Sequence, residues 1–199
     1  MTRRILHRLG SAERGQSMIE MAMVLPLLLL LTLGTLEFGM IFDHHLSLEY
    51  ATREGARTGS ALANADGVAA DCANVDPQIV AAVQRVLDSP GSDIDLSQVT
   101  QIRIYKSQAN GNETAGFVNV WTYTPGAGPV VDGAQLDFTG PVSPPWGACS
   151  RINTQVNPSP DKLGVSITYN YGFRTALGGM LGNASLTMFD RTVMTLNPL

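Results

Sequence analysis

Histidine, cysteine and charge are all scarce in this chain of 199 residues. The three histidines are His7, His44 and His45, and the two cysteines are Cys72 and Cys149. Two cysteines close at most one disulfide, and their spacing fits no zinc motif. His44 and His45 are adjacent, so on a helix they point apart and make a poor chelate even with Asp43 beside them. A lone Asp93-Ile94-Asp95 is too little for a calcium loop. The patterns G-x-S-x-G and H-E-x-x-H are missing, and so is a phosphate loop. With no visible nucleophile–base pair, the expectation is a protein that is not an enzyme and needs no metal or cofactor. Charged residues make up 15% of the chain and the formal net charge is −4. A basic groove with interleaved aromatics is also missing, which argues against a nucleic-acid partner.

Charge is missing altogether from Met21 to Leu36. With Glu37 tolerated near its end, the apolar character continues to Phe42. About 22 residues at 1.5 Å each span roughly 33 Å, the thickness of a bilayer's hydrocarbon. A soluble core helix of that length would carry a polar stripe, and this one has none. An ordinary cleaved signal has a shorter apolar core and an A-x-A-like site, and neither is found. Residues 16–42 therefore read as a retained transmembrane helix.

The preceding residues, 1–15, form a basic leader in which Arg3, Arg4, Arg8 and Arg14 face only Glu13. Removing it would take four of the 13 basic residues and one of the 17 acidic ones. The positive-inside rule puts this flank in the cytoplasm and everything beyond about Asp43 outside. On that oxidising side a Cys72–Cys149 disulfide is expected.

Three residues of the helix carry alternative readings. Pro26 removes the hydrogen bond to the Ala22 carbonyl. That is either a harmless kink or a bend used when the helix packs with others. Glu37 follows Glu20 by 17 residues, about 25 Å along the axis, which places it near the outer interface. It is expected to snorkel to water, with pairing to a partner's cation as the alternative. Ser17-Met18-Ile19-Glu20 is S-x-x-E, a capping box that would by itself explain Glu20. The wider context offers another account: a basic leader, Gly15, an acid at the fifth position after it, then the oily helix.

Beyond the membrane, residues 43–65 read as a helical stalk with a Glu49–Arg53 pair and two glycines, Gly55 and Gly59, that either weaken it or allow a neighbour to pack close. A second helix is expected to start at Asp76 as N-cap, with Pro77 next, and to end at Ser89-Pro90-Gly91. Ile79, Val80, Val83, Val86 and Leu87 would share its buried face. Strand signals follow in QIRIYK, with Ile102 and Ile104 alternating against Arg103 and Tyr105, and in FVNVWTY from Phe117 to Tyr123. Residues 124–161 hold many prolines and glycines and read as an irregular insertion. VSITYNY puts Val165, Ile167, Tyr169 and Tyr171 on one face, and a last strand runs from about Ser185 to Leu196. The fold class is α+β: a long N-terminal transmembrane helix, a stalk, then a helix on a mainly antiparallel sheet of about four strands, filling residues 66–199.

Gly15 followed by Glu20, the run MVLPLLLLLTLGTLEFG from Met23 to Gly39, and ATREGARTGS from Ala51 to Ser60 together resemble the TadE-like family. These are minor pilins or pseudopilins of the tight-adherence, Flp-type pilus apparatus. The resemblance covers about 45 residues, with a weaker echo in VSITYNY and the LGGMLG loop; residues 61–162 match nothing recognised. It implies a type III (prepilin-type) signal, cut between Gly15 and Gln16 on the cytoplasmic side by a prepilin peptidase. It also implies a single-pass plasma- or inner-membrane subunit with a pilin-like exterior domain and other Tad pilus subunits as partners. The new Gln16 amine could pair with Glu20 of a neighbouring subunit, giving Glu20, Pro26 and Glu37 roles in assembly. Major Flp pilins carry tyrosine directly after the glutamate, where this chain has Met21, and they are much shorter. Both departures favour a minor pilin. The competing reading is an uncleaved single-pass surface protein whose exterior domain binds a ligand or partner. A mature N-terminus at Gln16 or at Met1 separates the two.

Overall fold

The computed structural model describes residues 10–64, 69–154, 159–180, 182 and 185–197. The leader residues Arg3, Arg4, His7 and Arg8 lie outside these. The chain divides into two compact units: Met1–Met40 with Gly172–Ala184, and Ile41–Tyr171 with Ser185–Leu199.

The larger unit is α+β. It contains the C-terminal part of helix α1 (Gly10–Leu62), helix α2 (Ala69–Leu87), and strands β1 (Val99–Ser107), β2 (Glu113–Tyr123), β5 (Phe138–Thr139), β6 (Lys162–Gly172) and β7 (Ser185–Thr195). These strands form one sheet in the order β5-β2-β1-β6-β7. β1 pairs antiparallel with both β2 and β6, and β2 with β5. The fifth strand beyond the expected four is the two-residue β5, too short to leave a periodic signal. A separate ribbon of β3 (Val130–Val131) and β4 (Ala134–Gln135) lies inside the insertion. Its turn is Asp132-Gly133, both at positive φ. An Asp-Gly pair flanked by Val-Val and Ala-Gln is a hairpin signal that the irregular reading of 124–161 passed over.

The register explains the core. Ile102 lies opposite Ile167 and Trp121, and Ile104 opposite Val165 and Asn119, so these side chains share one face. All are buried, as are Ile79, Val80, Val83 and Leu87 of α2. Burying each such aliphatic side chain contributes about 1.5–3 kcal/mol. Tyr105 departs from the expected alternation: it belongs to the opposite face, yet it is buried. Its cross-strand neighbour is Gly164, where an added Cβ would stand 2.2 Å from the Tyr105 ring. The missing side chain is the space the ring fills. Burial pushes the Tyr105 hydroxyl's pKa up.

Residues 43–62 are core rather than a free stalk. Leu48, Ala51, Thr52, Gly55, Ala56, Gly59, Ser60 and Ala63 are all buried, at spacings of three and four. All but Leu48 are small, so this helix can come very close to its neighbours. A Cβ on Gly55 would sit 2.6 Å from Val83 Cγ2, and one on Gly59 2.8 Å from Ile79 Cδ1 and 2.9 Å from Leu163 Cδ2. Polar groups on the same face are satisfied by β7 and its tail. The Ser60 hydroxyl donates to the Thr195 carbonyl at 2.6 Å, and the Asn197 amide donates to the Ser60 carbonyl at 3.0 Å. Thr52 bonds the Asp190 carboxylate and lies 3.1 Å from the Thr192 hydroxyl. The opposite face carries the Glu49–Arg53 and Glu54–Arg57 pairs. The Arg57 guanidinium holds the Glu54 carboxyl below its usual range.

Helix α2 starts earlier than expected, at Ala69, and Pro77 lies inside it. Asp76 is therefore not an N-cap. Its carboxylate pairs with Arg151, a fully buried residue of the insertion. Asn119 joins the same network: its amide nitrogen donates to Asp76 at 2.6 Å and to the Trp146 carbonyl at 2.8 Å. The Trp146 amide donates back to Asn119 at 2.9 Å, and the Arg151 guanidinium lies 4.5 Å from the Trp146 ring centre. Cys72 and Cys149 form a disulfide beside this network. Covalent bond and ion pair together hold the proline-rich insertion on α2.

Candidate functional site: the apolar helix and its carboxylates

In the smaller unit the N-terminal part of α1 turns its apolar side chains outward all round. Met18, Met23 and Phe38 are each about three-quarters exposed, and Leu27 to Leu31 are at least half exposed. A segment so apolar and so uncovered needs a non-aqueous surround. The helix is long and apolar enough to cross a membrane. Its hydroxyls suit that surround, since Thr32 donates to the Leu28 carbonyl at 2.8 Å and Thr35 to the Leu31 carbonyl at 2.9 Å. Pro26 lies inside the helix, which runs on through it.

Glu20 is exposed and accepts a hydrogen bond from the Gln16 side-chain amide at 3.2 Å. Gln16 and Glu20 thus share one face, one turn apart. Because α1 already begins at Gly10, Ser17 lies inside the helix and the capping-box account of Glu20 loses its helix start. Gly15 has open space around it, with nothing within 4 Å of an added Cβ.

Glu37 differs from the expectation of a carboxylate reaching for water. It is 2% exposed, and it accepts the backbone N–H groups of Arg174 at 3.0 Å and Thr175 at 2.9 Å. Both belong to the loop between β6 and β7, within the same compact unit. Charge-assisted bonds from two amides offset much of the cost of taking a carboxylate out of water. Nothing local in the sequence announces a partner 137 residues away; the acid in an otherwise apolar run was the only hint.

His44 is buried against aromatic rings, its own ring centre 5.0 Å from that of Tyr171 and 5.6 Å from that of Tyr169. His45 is exposed, so the two histidines do part. Among the described residues no group of three His, Cys, Asp or Glu side chains is placed to hold a metal ion.

Among the described residues one helix is long and apolar enough to cross a membrane, which points to the class of single-pass membrane proteins. A family model described as TadE-like protein matches residues 15–57. The match takes in the apolar segment and runs on into the small-residue face that packs in the core, ending two residues past Gly55. The likeness to TadE-like proteins thus lies in the segment long enough to cross a membrane and in the turns of α1 that follow it. No curated protein and no solved structure matches the chain.

Proposed function

We propose that the protein is a minor pilin or pseudopilin: a membrane-anchored, non-enzymatic structural subunit of a tight-adherence pilus apparatus. The observation that carries this reading is the match over residues 15–57, which begins at Gly15. In this reading the prepilin peptidase cuts between Gly15 and Gln16 on the cytoplasmic side, and the exterior domain stands outside the cytoplasm. The new amine on Gln16 then lies one turn from Glu20, on the same helix face as the 3.2 Å side-chain bond between them. In a stack of subunits that amine can pair with Glu20 of a neighbour. An unpaired charge in lipid is costly, so this pairing would bias the register of assembly.

The test is the N-terminus of the membrane-extracted protein, read by mass spectrometry, together with two variants. A mature N-terminus at Gln16 is expected, and an intact Met1 refutes the processing. Glu20→Gln keeps volume and hydrogen bonding but removes charge. It should leave the protein inserted and folded while co-purification with other pilus subunits falls. Assembly by Glu20→Gln at the parent level, with Glu20→Ala failing, would reduce the carboxylate to a hydrogen-bonding role and sink the pairing mechanism.

A further inference from the structure

The loop between β6 and β7 is unusual for a surface connection. From Gly172 to Ala184 it reads GFRTALGGMLGNA, with Arg174 its one charged residue. Loops of soluble domains are ordinarily polar, because they run through water. This one groups with the apolar helix as a single compact unit, apart from the sheet whose strands it joins. Glu37 grips it through the Arg174 and Thr175 amides.

The loop is folded on itself. It contains the short helix α3 (Ala176–Met180). The Gly178 amide donates to the Thr175 carbonyl at 3.0 Å, and the Gly182 amide to the Gly179 carbonyl at 3.3 Å. A Cβ on Gly178 would stand 2.8 Å from Phe173 Cβ, so the two residues are in tight contact. Backbone can lie against lipid only where its N–H and C=O groups are satisfied internally. Four amides of this loop are, two of them by a carboxylate on the membrane helix. Around it the helix surface is apolar and open: Leu36 is 56% and Phe38 74% exposed.

From these observations we infer that the β6–β7 loop is a second membrane contact, an interfacial element that rests on lipid beside the outer end of the helix, with Glu37 as the clasp that holds it there. On this reading the loop and the exposed flank of the helix at Leu36 and Phe38 meet the same bilayer. Exposed Arg174 then sits at the level where a cation meets phosphate headgroups. The consequence is mechanical, since the exterior sheet would be tied to the bilayer at two points of the chain. The inference rests on the helix crossing a bilayer and does not need the pilin role.

The test uses the full chain, with its disulfide intact, reconstituted in phosphatidylcholine vesicles. Single nitroxide labels go on Gly179→Cys, Phe38→Cys and Ala109→Cys, one per protein. Gly179 is exposed with open space around it, and Ala109 lies exposed in the β1–β2 turn. Collisions with oxygen, which concentrates in lipid, are compared with collisions with a water-soluble nickel chelate. The Gly179 label should favour oxygen, as the Phe38 label does, while the Ala109 label favours nickel. Adding Glu37→Gln should shift the Gly179 label toward nickel and leave the Phe38 label in lipid. A Gly179 label that favours nickel while the Phe38 label favours oxygen overturns the inference and leaves the membrane helix standing. Nickel preference at both positions overturns both.

Discussion

Gly55→Ala should destabilise the larger unit by about 1–2 kcal/mol, although alanine is the better helix former. The gain from propensity is about 1 kcal/mol. Against it, the new Cβ would stand 2.6 Å from Val83 Cγ2 and 3.3 Å from Val165 Cγ1. Valine is stiff at χ1, so neither methyl swings clear and the helices must move apart instead. Overpacking of that kind costs about 1–3 kcal/mol, and at this site the upper end applies. Gly59→Ala makes a useful contrast. Its close contacts are Ile79 Cδ1 and the two Leu163 δ methyls, the far ends of flexible side chains. They can yield, so gain and loss should nearly cancel. The assay is urea unfolding of the full chain in detergent micelles, followed by near-UV circular dichroism of the buried Trp121 and Trp146. Val83→Ala clears the obstructing methyls. The Gly55→Ala, Val83→Ala double variant should therefore be less destabilised than the sum of the singles, with a coupling of about 1–2 kcal/mol. If Gly55→Ala raises the urea midpoint as an open helix glycine would, close packing of α1 on α2 is not what that glycine is for.

Two further outcomes follow from buried groups of the same unit. Arg151→Met leaves Asp76 buried without its cation and should cost about 3–5 kcal/mol in the same urea assay; a loss below about 1 kcal/mol would mean that Asn119 alone satisfies the carboxylate. Tyr105 should resist ionisation in the folded protein, because burial raises its pKa above the usual 10.0. A raised folded pKa means that its share of stability is full below the unfolded pKa and is lost as pH climbs toward the folded one. Spectrophotometric titration at 295 nm should show one late-ionising tyrosine fewer in Tyr105→Phe than in the parent, and a variant that loses an early-ionising tyrosine instead would contradict the burial.

Periodicity along the chain was enough for the elements whose partners are lipid or a regular sheet. A run without charge from Met21 to Leu36 reads as a helix in apolar surroundings, because a helix satisfies its backbone within its own segment. Val165, Ile167, Tyr169 and Tyr171 announce one buried face of β6 because a strand's period of two is read from neighbouring residues. The end of α2 was legible for the same local reason, in Ser89-Pro90-Gly91.

What tertiary structure decided were the residues whose partners lie far along the chain. Asp76 looked like a cap because caps are made by neighbours, but its cation is Arg151, 75 residues on. Residues 43–62 looked like a stalk because a face of alanine, glycine, threonine and serine carries little hydrophobic signal. Gly55 and Gly59 left weakening and close packing both open, and the close approach of Ile79, Val83, Val165 and Leu163 decides for packing. Tyr105 is buried because the neighbouring strand places a glycine opposite it. Glu37 is an acid that by itself points to water or to a partner's cation. Two amides from a loop 137 residues away take water's place, and a carboxylate's preference is set by whichever donors the fold brings to it.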